Sequence, residues 1–247
     1  DLDRHREATA QLGVDYPVVV DSEHAIWRAF GNAAWPALYA TDARGRIRHR
    51  HFGEGEYERS ERILQQLLVE AGAKDVGTEM VRVEGKGSLA EADWANLRSP
   101  ETYIGHARAE GFSSLGGFSR GRTRTYAAPE RLRLNSWALA GDWNVGREAA
   151  TLVHGNGRVA HCFHARDLHM IMGPAYRSRP VPFRVLLDGK PPGSSHGEDV
   201  DSQGRGMLVE HRLYQLVRQP GPVQERRLEI ELQQPGREGF LVTFRCA

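Results

Sequence analysis

The spacing of apolar positions changes character near residue 100, and that change divides the chain. Before it, helical and strand periods alternate. Asp3–Leu12 is charged and amphipathic and stops at Gly13, which predicts a helix. Tyr16-Pro-Val-Val-Val-Asp21 is a short β-branched run, the pattern of a strand buried on both faces. Asp21 or Ser22 is placed to cap a helix over Glu23–Phe30, which Gly31-Asn32 ends. Ala37–Thr41 and Arg46–Phe52 read as strands around Asp42-Ala-Arg-Gly45, where Asp and Gly supply turn chemistry. From Glu56 to about Ala71, the positions Ile63, Leu64, Leu67 and Leu68 fall on one helical stripe. The order helix, strand, helix, strand, strand, helix is that of an α/β unit ending in a hairpin and a covering helix.

Beyond residue 100, short alternating or apolar runs predict strands at Arg131–Leu139, Glu148–Val153, Arg158–His164, Leu168–Met172, Phe183–Leu187, Met207–Leu216, Leu228–Leu232 and Phe240–Phe244. Turn signals separate them at His154-Gly-Asn-Gly157, Asp188-Gly189, Gln203-Gly204 and Gln234-Pro-Gly236. This punctuation predicts an all-β sandwich or jelly roll over 100–247. The α/β unit occupies 1–75. The glycine-rich stretch 76–99 reads as a linker with short helical pieces such as Leu89–Leu97.

Composition narrows the function classes. Hydrophobic residues make up 40% and charged residues 26%, as in an ordinary globular protein. The formal charge of +1 gives no basic footprint for nucleic acid, and the Arg120, Arg122, Arg124 cluster reads as a solvated loop. No apolar run is long enough to cross a bilayer, and Asp1–Glu7 has no signal-peptide pattern. The chain lacks an initiating Met, so it is expected to be a fragment or a processed product. There is no G-x-S-x-G elbow, P-loop or dinucleotide fingerprint, and Ser194-Ser195-His196 reads as a loop.

The candidate chemistry is sparse. Cys162 and Cys246 lie 84 positions apart and form no Cys-x-x-Cys. They are either a disulfide or two unpaired cysteines, one in a strand core and one at the terminus. Trp137, Trp143, Tyr103 and Tyr126 are aromatics that a sugar platform or a sandwich core could use. His49 and His51 share a strand face among Arg46, Arg48 and Arg50, whose charge opposes a cation. His161 and His164 have opposite parity on one strand. Asp199-Val-Asp201-Ser-Gln-Gly204 lacks the acidic ladder of a calcium loop and reads as a polar turn. No metal and no cofactor are expected.

Several segments carry a family resemblance. Ala34-Trp-Pro-Ala-Leu-Tyr-Ala-Thr-Asp-Ala-Arg-Gly-Arg-Ile47 resembles the later half of a thioredoxin-like domain of the TlpA, ResA and redoxin kind. With His51-Phe-Gly-Glu-Gly-Glu-Tyr57 and Ile63-Leu-Gln-Gln-Leu67, it is similar to the extracytoplasmic region of the DipZ family of cytochrome c biogenesis-type proteins. Ser99-Pro-Glu-Thr-Tyr-Ile-Gly105, Ser136-Trp-Ala-Leu139, Gly141-Asp-Trp143, Phe163-His-Ala-Arg-Asp-Leu-His169 and Val242-Thr-Phe244 resemble that family's second domain, a carbohydrate-binding-module-like β-sandwich.

The resemblance implies a truncated thioredoxin-like domain followed by the sandwich. It implies a thiol–disulfide oxidoreductase of the periplasm or cell envelope, with protein disulfide or dithiol clients and an upstream electron donor. A glycan is a further candidate ligand. The redox-active Cys-x-x-Cys is expected upstream of Asp1, since by this resemblance the chain enters the fold after the helix that bears it. As written, the chain is therefore not expected to catalyse exchange itself. Pro36 is implied to be the cis proline of the substrate groove, with Trp35 lining it, where the residues alone would also allow a trans proline entering an edge strand. A non-catalytic carbohydrate- or partner-binding module is the alternative reading. An absent central strand and covering helix would leave an open sheet edge and an exposed apolar face.

Overall fold

Asp42 decides where the first hairpin turns. Its Oδ1 accepts from the amides of Arg44 and Arg46, each at 3.0 Å, and its Oδ2 accepts from Arg46 Nε at 2.8 Å. The Arg46 side chain and amide hold the Asp42 carboxyl down at about 2, so the charged form persists. Gly45 supplies the positive φ of 76° that completes the turn. The flanking strands β1 (Ala37–Thr41) and β2 (Ile47–Phe52) pair antiparallel, Ala37 opposite Phe52 and Ala40 opposite His49.

The computed structural model describes residues 2–81, 93–174, 180–232 and 240–246. They divide into two compact units, Asp1–Arg82 and Val83–Ala247. The first holds α1 (Leu2–Gln11), α2 (Ala25–Ala29), the hairpin and α3 (Tyr57–Glu70). Helix α3 lays its stripe on the hairpin and buries Leu67 and Ser60 beside Ala40. Arg48 Nη1 meets Glu70 Oε2 at 2.9 Å and ties strand to helix.

One expected element is missing. Tyr16–Asp21 forms no strand. Val18, Val19 and Val20 are exposed, and the sheet of this unit has two strands among the described residues. A β-branched run states a preference, but a strand exists only through a neighbour's hydrogen bonds. The helical pieces expected at Leu89–Leu97 fall largely on residues 82–92, outside the described residues; 93–96 form a turn.

The second unit is strand-rich. Among the described residues its strands are β3 (Thr123–Tyr126), β4 (Trp137–Val145), β5 (Ala150–Phe163), β6 (Asp167–Pro174), β7 (Val181–Leu187), β8 (Arg205–Leu208), β9 (Arg212–Arg218), β10 (Arg226–Leu232) and β11 (Phe240–Cys246). The sheet forks at β5. The later half of β5 pairs with β10, continuing through β7 to β8. The first residues of β5 pair with β11, continuing through β6 to β9. Strand β4 runs alongside both halves, with β3 on its outer edge. The two arms share one apolar core, in which Phe183 of β7 meets Tyr214 of β9 edge-on at 6.0 Å.

Four boundaries fall elsewhere than the sequence predicts. His154-Gly-Asn-Gly157 was expected to turn, yet β5 runs straight through it, because β4 follows along its length and absorbs the irregularity as a bulge around Gly141. Arg131–Ser136 is no strand, since Asn135 sits at φ 64° and the strand starts only at Trp137. Met207–Leu216 splits into β8 and β9 at a corner where the Tyr214 hydroxyl accepts from the Val209 amide at 3.1 Å and donates to the Glu210 carbonyl at 2.8 Å. The Arg120–Arg124 stretch, expected as loop, contributes β3.

Candidate functional site

Asp21 builds the most exposed chemical feature of the first unit. Its two carboxylate oxygens accept from the amides of Ile26 at 3.1 Å and Trp27 at 2.9 Å. The carboxylate thereby satisfies two amide donors at the start of α2, and the Trp27 amide foremost holds the Asp21 carboxyl below its ordinary range. The cap fixes the rotation of a five-residue helix that could not stand alone. Trp27 is thereby presented to Trp35, their ring centroids 4.8 Å apart at 68°. His24, in the left-handed region at φ 55°, lies 6.2 Å from both indoles. Trp35 remains 73% exposed, far more than a core residue of its size allows.

The Trp35-Pro36 bond is cis and leads directly into β1. Behind it the Gly53 amide donates to the Pro36 carbonyl at 2.8 Å, which closes the open end of the hairpin. On the hairpin, Tyr39 packs edge-on between Phe30 at 5.0 Å and Phe52 at 5.9 Å. The result is an aromatic corner in front of β1, apolar on its face and edged by the imidazole of His24 and the carboxylate of Asp21. It can receive an apolar or aromatic side chain. It holds no nucleophile.

The aromatics of the second unit behave differently. Trp137 and Trp143 are fully buried, and their indole N–H groups donate to the carbonyls of Glu110 at 2.8 Å and Ala140 at 2.9 Å. Tyr126 is buried and accepts from the Ser119 amide. These rings form core, and none offers a face to a ligand. Tyr103 is half-buried, with the Arg108 guanidinium over its ring at 3.8 Å. Phe112 and Phe118 stack at 3.9 Å beside Trp137, which completes the apolar packing there.

Cys162 is a buried free thiol that donates to Glu225 Oε1 at 3.3 Å. Burial first, then the Glu225 carboxylate, pushes its pKa up to about 12, so thiolate is scarce near neutrality. The side chain of Cys246 lies outside the described residues, and with it the pairing with Cys162. His49 Nε2 meets Ser60 Oγ at 3.3 Å, and His51 Nε2 faces the Glu54 carbonyl at 3.4 Å, so the two imidazoles serve different partners. His161 is buried between Trp137 on β4 and Leu228 on β10, and desolvation lowers its pKa to about 4. Asp201 Oδ1 accepts from the Gln203 and Arg205 amides, and Asp199 binds Arg212 and the Gln215 amide, so both carboxylates serve the turn.

Two groupings were not legible beforehand. Trp27 and His24 carry no sequence signal that joins them to Trp35. A cleft in the second unit is lined by Ala140, Gly141, Asn156, Arg158 and Glu231. Its Arg158 and Glu231 face each other only because β5 and β10 pair in that register. Arg158 Nη1 binds Glu229 at 2.7 Å, and Glu231 and Asn156 also line the cleft.

Comparison with known proteins gives two kinds of match. The model of the thioredoxin-like C-terminal domain family matches residues 99–244, the strand-rich unit. DipZ of Mycobacterium bovis is 31% identical over 185 residues, which is 75% of this chain and 25% of DipZ, and DipZ of Mycobacterium tuberculosis matches to the same extent. The chain thus spans about a quarter of the length of these relatives. The thiol-disulfide oxidoreductase YkuV of Bacillus subtilis is 35% identical over 72 residues, 28% of this chain and 49% of YkuV.

Proposed function

Because the chain belongs to the thioredoxin-like C-terminal domain family, in its DipZ and redoxin branch, we propose that it is the client-facing and accessory part of an extracytoplasmic thiol–disulfide oxidoreductase. The observation that carries this reading is the aromatic corner of Trp27, Trp35 and His24 ahead of β1. In the whole protein, a Cys-x-x-Cys upstream of Asp1 supplies the thiolate. That thiolate attacks a client disulfide sulfur, expels the second client sulfur as thiolate, and leaves a mixed disulfide. The second cysteine then attacks, so the client gains two electrons and the Cys-x-x-Cys becomes a disulfide. Trp35 and Pro36 border the groove where the client chain lies, and Trp27 backs the Trp35 ring. Cys162 takes no part, because its thiol is buried and held protonated. An upstream dithiol donor returns the electrons. The name of the thiol-disulfide oxidoreductase YkuV supports redox clients, and the envelope location rests on the family resemblance.

The test uses the full-length protein encoded by the same reading frame. It should reduce insulin disulfides in the presence of dithiothreitol, while residues 1–247 alone should not. Trp35→Ala in the full-length protein should raise KM for insulin several-fold with kcat little changed. An upstream sequence without a cysteine pair, or an inactive full-length protein, would sink the proposal.

A second reading rests on the cleft. We read the forked sheet as a jelly-roll-like, carbohydrate-binding-module-like β-sandwich, whose cleft offers Asn156, Arg158 and Glu231 to the hydroxyls of a glycan. Arg158 donates, Glu231 accepts and the Asn156 amide does both, which suits a polyol without an aromatic platform. Binding on a glycan array that Asn156→Ala and Glu231→Ala each abolish would support this module role. Retention of binding in both variants would remove it.

A further inference from the structure

Two glycines let the backbone pack closely at the cleft of the strand-rich unit. Gly157 on β5 lies against the core, where a Cβ would sit 2.4 Å from Leu152 Cδ1 and 3.0 Å from Trp143 Cζ2. Gly141 on β4 has φ 100°, and a Cβ there would sit 2.8 Å from the Asn156 carbonyl oxygen. Strand β4 gives the lining only Ala140 and Gly141, so the polar side chains of the cleft are Asn156, Arg158 and Glu231. The cavity volume is about 300 Å³, at the low end for small-ligand clefts. A polymer laid along the sheet would need exposed rings to stack on, and Trp137, Trp143 and Tyr126 are buried. The cleft has room for one ring-sized polyol.

The register sets the charges of the cleft. Arg158 on β5 and Glu231 on β10 are directly opposed, which places their Cβ atoms about 5 Å apart. They form no ion pair with each other among the described residues. Arg158 Nη1 is taken by Glu229, so its charge is already compensated while the rest of its fork meets no other carboxylate there. Arg184 opposes Glu231 on the other side, but it is exposed to water and lies outside the lining. An anion held by Arg158 would face the Glu231 carboxylate, and an ammonium held by Glu231 would face Arg158, so like charge opposes either. A neutral ligand meets no such penalty. Two adjacent hydroxyls match the pair: one oxygen accepts from the guanidinium, and the neighbouring O–H donates to the carboxylate.

We propose that this cleft recognises the vicinal diol of a single neutral sugar residue at a chain end, with Arg158 donating to one hydroxyl and Glu231 accepting from its neighbour. The inference rests on the carbohydrate-module reading of the cleft and adds to it a ligand class, neutral and vicinally hydroxylated, and a mode, one terminal residue. It is independent of the redox reading.

A glycan array probed with the 247-residue chain tests it, one half untreated and the other oxidised with periodate and then reduced with borohydride. Periodate cleaves the carbon–carbon bond of a vicinal diol to two aldehydes and is itself reduced to iodate, and borohydride turns the aldehydes into alcohols. Neutral glycans should bind on the untreated half and lose about tenfold or more of their affinity on the oxidised half. Glycans ending in a uronic or sialic acid should stay silent. The methyl glycoside of the terminal residue of the strongest ligand should compete, mole for mole, within about threefold of the whole glycan. Glu231→Gln should weaken binding about tenfold, and Arg184→Gln should leave it unchanged. Near-ultraviolet circular dichroism checks that both variants are folded. An untreated array without binding overturns the module reading and this inference together. Binding that survives periodate, prefers acidic chain ends, or rises with chain length while the methyl glycoside fails to compete overturns this inference alone.

Discussion

At the residue scale, burial sets the chemistry of the two most perturbed groups. His161 sits in the core with its pKa lowered from 6.5 to about 4 by desolvation alone. Between those values the unfolded chain takes up a proton that the folded chain refuses. Stability therefore falls as pH drops through that window and is unaffected above it. The loss should approach about 3 kcal/mol below pH 4. Urea midpoints at neutral pH and near pH 4 will check it, and His161→Leu should flatten much of the dependence. Cys162 makes the opposite kind of statement. With its thiol pKa up at about 12, it should resist iodoacetamide in the native protein and react fully in denaturant. Rapid native labelling would mean that Glu225 and the surrounding strands do not shield it. The sequence located both residues in strands but said nothing of their surroundings, because burial belongs to the neighbours that other strands supply.

At the element scale, β4 shows how the sheet is completed by something other than a strand. Ser114 Oγ accepts from the Leu139 amide at 2.8 Å and donates to the Leu139 carbonyl at 2.9 Å. One buried hydroxyl does what a ladder partner would do. Ser114→Ala should leave both backbone groups unsatisfied and cost about 2–4 kcal/mol, read as a lower melting temperature of the strand-rich unit. Gly141 should be similarly intolerant. Its φ is 100°, and an added Cβ would lie 2.8 Å from the Asn156 carbonyl oxygen. Gly141→Ala should therefore destabilise the β4–β5 bulge by about 1–3 kcal/mol. The hairpin β1–β2 and helix α3 were legible in advance, because Asp42, Gly45 and the leucine stripe carry local instructions. The run Tyr16–Asp21 was not, because its fate depends on a neighbour.

For the whole molecule, the two units differ sharply in core. The buried side chains of the first are Ala40, Ser60 and Leu67 among the described residues. Its surface shows Tyr16, Val19, Trp35 and Val69, each more than half exposed. The second unit buries a continuous cluster running from Ile104 to Leu232. Hydrophobic stabilisation follows the apolar area removed from water, so the units should melt separately, the first at lower temperature. Calorimetry should resolve two transitions. Limited proteolysis should cut within residues 2–81 while the strand-rich unit survives. A single cooperative transition would show that the units stabilise each other.

The sequence by itself determined the change from α/β to all-β character near residue 100, the first hairpin and the absence of a Cys-x-x-Cys. The family resemblance, carried by motifs spread along the whole chain, was equally legible. Each of these rests on local pattern: a period, a turn residue, a spacing. Only the tertiary structure decided that Trp137 and Trp143 are core, that β5 passes through a glycine-rich turn signal, and that Arg124 turns back onto the Gly116 carbonyl while Arg158 faces Glu231 across β5 and β10. The physical reason is common to all three. Burial, strand pairing and charge clustering are properties of residues far apart in the chain, and they come into being only when the backbone brings those residues within hydrogen-bond and Coulomb range.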